Sequence, residues 1–205
     1  MAASATLADG THAQHQDGAI LSGADSDKVA SLNILATHAH CDRNKVTFHM
    51  TTNGAAGADP AVAVGQMAGA PATLYVWPTS LDPSTVRFEG GTGILSLAAA
   101  TRPNFDDTTL FDGNANGKVD NEGGYWHSHW VVLTPTPECG EGALAVRDIT
   151  ERSNPKLPAT WPRLPISLDS PRFNPVFDGS EVVINVSFAN GVDLSMLPMT
   201  ASPLP

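Results

Sequence analysis

One stretch limits the folds open to this chain more than any other: Tyr125-Trp126-His127-Ser128-His129-Trp130-Val131-Val132-Leu133. In an extended strand, alternate side chains point to opposite faces. His127, His129, Val131 and Leu133 therefore share one face, and Trp126, Trp130 and Val132 the other. Aromatic and β-branched residues fill both, which predicts a central strand buried on both sides. Around it, 16 prolines and 18 glycines are spread through 205 residues. Punctuation at such short intervals favours strands and turns over long helices. The expected class is all-β, an antiparallel β-sandwich or barrel-like fold with long loops.

Taken in order, residues 1–28 are rich in small and polar side chains and read as a flexible N-terminal arm. Residues 29–197 read as a single β-sandwich domain, and 198–205 as a C-terminal tail. Within the domain, Leu32 to Cys41 alternates as a strand whose second half exchanges aliphatics for His38 and His40. A turn over Cys41-Asp42-Arg43-Asn44-Lys45 follows, with Asn44 suited to a left-handed conformation. Lys45 to Thr51 then alternates again, which makes a hairpin. A three-residue loop, Asp42 to Asn44, pairs His40 with Val46 and His38 with Phe48, whereas a four-residue loop pairs His38 with His49. Apolar patterning favours the first, because Val46, Phe48 and Met50 then join the face of Leu32 and Ile34. Further strands are expected at 73–77, 93–98, 143–149 and 181–188. In the last of these, Val182, Ile184, Val186 and Phe188 must face the core. The run Leu97-Ala98-Ala99-Ala100 is too short to stand as a helix.

The formal net charge of −10 argues against nucleic acid or an anionic membrane as a partner. No apolar run approaches the roughly 18 residues that a transmembrane helix needs. The start, Met1-Ala-Ala-Ser-Ala-Thr-Leu-Ala, resembles a mature protein after signal removal. The two cysteines, Cys41 and Cys139, each lie near a His-x-His pair, and a disulfide between them is expected. That bond would place the protein in an oxidising compartment, as a periplasmic, cell-surface or secreted protein.

Five of the seven histidines fall in expected strands: His38, His40, His49, His127 and His129. A buried imidazole without a partner costs a few kcal/mol. Two His-x-His pairs on otherwise apolar faces therefore call for a shared explanation, and a copper or zinc ion supplies one. The expected ligand set is His38, His40 and one of His127 or His129, with His49 second in rank. Met50 offers a thioether suited to Cu(I), although a strand methionine is more often core filling. Separately, Asp112-Gly-Asn114-Ala-Asn116-Gly117-Lys118-Val-Asp120 places oxygen side chains at alternate positions with glycine sixth. This is the front of an EF-hand-type calcium loop, with Gly123 where glutamate closes that pattern. If the loop holds calcium, chelation lowers thermal stability.

Two resemblances follow from these residues. His127-Ser-His129-Trp130 resembles the His-x-His-Trp stretch of α-type carbonic anhydrases, which implies a catalytic zinc; that family's Glu-x-His segment is missing here. The second is to the surface-associated and periplasmic copper-binding proteins of methane-oxidising bacteria. Shared features are a β-rich chain of similar length, strand histidines and an oxygen-rich loop. In that family a kynurenine made from tryptophan, two residues before a histidine, is a third ligand. This chain has no Trp-x-His; the resemblance implies that His38-Ala39-His40 stands in its place, with His127 or His129 as the partner. The function so implied is an exported protein that holds copper for capture, storage or delivery. The alternatives are a zinc- or copper-dependent enzyme and a metal-free structural or adhesion sandwich. No His-Glu-x-x-His, Gly-x-Ser-x-Gly or phosphate loop marks an enzyme.

Overall fold

A computed structural model of the chain describes residues 19–65, 71–102, 117–118, 124–147, 168–169, 173–195 and 197. It is all-β. The strands are β1 (Ile20–Leu21), β2 (Ile34–Asp42), β3 (Lys45–Thr52), β4 (Thr73–Pro78), β5 (Ile94–Thr101), β6 (His127–Pro135), β7 (Leu144–Val146), β8 (Leu168–Asp169), β9 (Val176–Asp178) and β10 (Glu181–Ser187). They form two antiparallel sheets. Sheet A runs β1-β2-β3-β10-β9; sheet B runs β4-β5-β6-β7, with β8 also paired to β6. Ile20 and Leu21, expected in the arm, pair with Thr37 and Ala36 of β2. Among the described residues no helix is long and apolar enough to cross a membrane.

The core lies between the sheets. From sheet A come Val46, Phe48 and Met50 of β3 and Val182, Ile184 and Val186 of β10; from sheet B come Tyr75, Trp77, Leu95, Leu97, Ala99, Trp130 and Val132. Phe48 is fully buried. Its ring meets Trp77 and Trp130 edge-on, at centroid separations of 6.3 and 6.1 Å. Edge-to-face contact of this kind adds to simple area burial because the positive rim of one ring meets the negative face of another. β6 takes the central, doubly buried place its composition predicts, between β5 and β7. Leu97 to Ala100 belongs to β5: four residues are too few to realise their helix propensity, and strands pair with them on both sides.

The hairpin differs from expectation. Asp42 pairs with Lys45, leaving Arg43 and Asn44 as a two-residue turn, and His38 pairs with His49. The residue in the left-handed region is Arg43, at φ 57°. Asn44 is held by β10 instead: its side-chain amide donates to the Phe188 carbonyl at 3.0 Å, and Phe188 N–H donates to the Asn44 carbonyl at 2.8 Å. The register has a second cause. Ile34 pairs with Thr52 but Ala36 with Thr51, so Leu35 is the extra residue of a β-bulge. A bulge reverses the alternation beyond it. Ile34 lies opposite buried Thr52, while His38 and His40 are sent to the other side, away from the core.

Gly93 shows how tightly β5 and β6 meet. It stands at φ 151°, and a Cβ there would fall on the Leu133 carbonyl oxygen and within 2.9 Å of Val132. Gly93→Ala is expected to destabilise by about 1–3 kcal/mol, because both the backbone angle and the space belong to glycine. Urea unfolding should show a lower midpoint with an unchanged slope.

Candidate metal centre

The outer face of sheet A carries a connected polar group. His38 on β2 and His49 on β3 are directly opposite each other. Their Nδ1 atoms are 3.2 Å apart and their ring centroids 4.5 Å apart. On the far side of β3, His49 Nε2 donates to Glu181 Oε2 at the start of β10. The other carboxylate oxygen, Oε1, accepts from the Thr51 hydroxyl at 3.1 Å. His40 lies two residues along β2 on the same face, opposite Thr47, and is exposed. Behind this face the backbone is anchored: the His49 carbonyl accepts from the Trp77 indole N–H at 3.1 Å. A core tryptophan of one sheet therefore fixes the strand that presents the site on the other.

This arrangement decides protonation as well as position. A carboxylate only accepts, so the His49 nitrogen that faces Glu181, Nε2, is the one that donates. His49 Nδ1 then faces Nδ1 of His38, and the two ring nitrogens share a hydrogen bond. Nδ1 atoms 3.2 Å apart are close enough that both could bond one ion at the usual metal–nitrogen length of about 2.0–2.1 Å, were an ion bound there. The carboxylate–imidazole pairing is the usual outer support of a metal-binding histidine.

The second pair is elsewhere. His127 and His129 are 3% and 1% exposed, with ring centroids 4.5 Å apart. Both lie on the face of β6 away from Trp130 and Val132, opposite Ala100 and Ala98 of β5, whose small side chains leave room for the rings. His127 Nδ1–H donates to the Tyr125 carbonyl at 2.9 Å. Arg102 Nη2 donates to His129 Nε2, also at 2.9 Å. That bond occupies the His129 lone pair, and a guanidinium beside it repels a cation.

The two pairs thus sit on the non-core faces of different sheets, the sheet B pair buried, with Phe48, Trp77 and Trp130 packed between the sheets. Packed sheets are about 10 Å apart before outward side chains are added. His127 and His129 are therefore not brought to His38 and His40, the set expected from the sequence; the imidazole facing His38 is that of His49. Among the described residues, no three His, Cys, Asp or Glu side chains surround one point. Sequence reasoning missed Glu181, Thr51 and Arg102. Glu181 opens the last strand on its non-core side, but its value depends on β10 pairing with β3, a contact 132 positions apart at Glu181 and His49 that no local pattern reveals.

The expected disulfide is also corrected: Cys41 and Cys139 are both exposed and unbonded. Cys41 ends β2 in sheet A, whereas Cys139 closes a 3-10 turn, Pro137–Cys139, after β6 of the other sheet. The Cys41 sulfur rests against the Leu194 carbonyl at 3.9 Å, and partial burial there pushes its pKa up. Of the calcium pattern, Asp112, Asn114, Asn116 and Asp120 lie outside the described residues; Lys118 is exposed.

Fold and site together define a class: an all-β sandwich with a carboxylate-anchored pair of imidazoles on the solvent side of one sheet. No family model, curated protein or solved structure matches the chain.

Proposed function

We propose that this protein holds a transition-metal ion, copper before zinc, through His38 and His49, for capture, storage or delivery. An exported setting, at the periplasm or cell surface, is part of the reading. The observation that carries it is the Nδ1 to Nδ1 separation of 3.2 Å with His49 oriented by Glu181. Imidazole nitrogens suit both ions, and Cu(II) outcompetes zinc at such donors when both are supplied. His40, exposed on the same face, is the nearest further nitrogen donor along β2. The likeness to the copper-binding proteins of methane-oxidising bacteria belongs here as the same kind of chemistry, since His38 is common to both ligand sets.

The test is metal titration of the purified full chain against a competing chelator. One ion per chain is expected. Glu181→Gln should weaken affinity by roughly 10–100-fold, the usual effect of losing an outer-shell partner of a ligating histidine. A variant lacking both His127 and His129 should bind as the parent does, judged on protein shown by circular dichroism to be folded. Equal loss in that variant and none in Glu181→Gln would move the site to sheet B and end this proposal.

A further inference from the structure

Resting on that metal reading, we infer that the outer-face site accepts copper as Cu(II) and releases it when the ion is reduced to Cu(I). Three observations support this. The first is the spacing: Nδ1 atoms 3.2 Å apart are too close to take a linear two-coordinate ion between them at metal–nitrogen bonds of about 2.0–2.1 Å. Two-coordinate Cu(I) prefers its ligands on opposite sides, which at these bond lengths needs nitrogens about 4 Å apart. The second is rigidity. His38 and His49 are a cross-strand pair, and His49 is held by Glu181 in front and through its own carbonyl by Trp77 behind.

The third is the placing of sulfur, the donor that Cu(I) selects. Met50 and Cys41 are the sulfur-bearing residues of β2 and β3, and both are turned away. Met50 is 1% exposed within the core. Cys41 is paired with Val46, a core residue, so it alternates away from His38 and His40 and its thiol leans on the Leu194 carbonyl. Among the described residues of β2 and β3, the face presents the imidazoles of His38, His49 and His40, with Glu181 behind His49 and bonded to Thr51. Water completes the coordination of Cu(II) there at the open positions. The release step is a one-electron reduction, Cu(II) to Cu(I), with the electron supplied by an external enediol or thiol reductant. The softer ion then passes to thioether or thiolate acceptors in solution.

The experiment uses the full chain loaded with one equivalent of Cu(II), followed by electron paramagnetic resonance and ultrafiltration. Before reduction, copper should stay with the protein and show nitrogen coupling. After anaerobic ascorbate with excess free methionine as the soft acceptor, the signal should vanish and copper should enter the filtrate, retention falling by roughly tenfold or more. Met50→Leu, a substitution cores tolerate, and Cys41→Ser should behave as the parent in both stages. Copper that stays bound after reduction overturns the inference while leaving the metal reading standing. Loss of that retention only in Met50→Leu or Cys41→Ser would name the sulfur responsible and overturn it equally. Failure to retain Cu(II) at the start, or retention unaffected by His49→Ala, removes the metal reading itself.

Discussion

In a His49→Ala variant, Cu(II) affinity is expected to fall by more than the roughly 10–100-fold that losing Glu181 alone costs. The substitution takes away one nitrogen of the chelate and, with it, the group that Glu181 and Thr51 exist to orient. What remains on that face is His38 with His40 two residues along β2, and separate imidazoles hold Cu(II) more weakly than an oriented pair. The fold should survive. His49 points outward, its backbone pairing with β2 and β10 is untouched, and its carbonyl still accepts from Trp77. Glu181 keeps the Thr51 hydrogen bond and is partly solvated. A stability change of about 1 kcal/mol is the scale for one lost surface hydrogen bond. Competition titration and a thermal melt on the same sample would read the two effects separately. Parent-like affinity in this variant would place the metal somewhere other than the outer face of sheet A.

The second large effect is on stability. Phe48→Ala should cost about 3–5 kcal/mol, the range for removing a buried aromatic ring. Phe48 lies at the contact of the two sheets, fully buried and edge-on to both Trp77 and Trp130, so no side chain of the same sheet can swing in to fill the space. For a chain of 205 residues that corresponds to a fall in melting temperature of roughly 6–20 °C. Denaturant unfolding followed by tryptophan fluorescence would report it directly, because both neighbouring rings are tryptophans. A loss under about 1 kcal/mol would mean that the ring is not buried between the sheets. The variant also bears on the site: β3 carries Phe48 inward and His49 outward, so a loosened core should widen the distribution of His38 to His49 separations and weaken metal binding in step.

Much of the fold could be read from alternation. Trp130 and Val132 face the core and His127 and His129 the opposite side, as the central stretch implies. The same holds for Val182, Ile184 and Val186. Alternation failed at one residue. Leu35 is bulged, and its neighbours on each side are aliphatic, so nothing in the run from Leu32 to Cys41 marks where the phase reverses. A reader who carries the pattern of Leu32 and Ile34 forward places His38 and His40 in the core and pairs His38 with Phe48. The folded chain places Ala39 opposite Phe48 instead, a small residue against a large one. The disulfide misread has a similar origin, since nearness to a histidine pair in sequence says nothing about which sheet a cysteine ends on.

What the amino-acid order determined by itself was the class of structure: short strands, two-faced burial, and histidines carried on strands. These depend on neighbours two residues apart, which a strand geometry fixes locally. Which imidazoles meet was decided only by tertiary structure. The pairing of β3 with β10 brings Glu181 to His49, a single bulge turns His38 toward His49, and the other histidine pair is held on the non-core face of sheet B. Contacts between residues more than a hundred positions apart are settled by how two sheets bury their apolar faces, and that is a property of the whole chain.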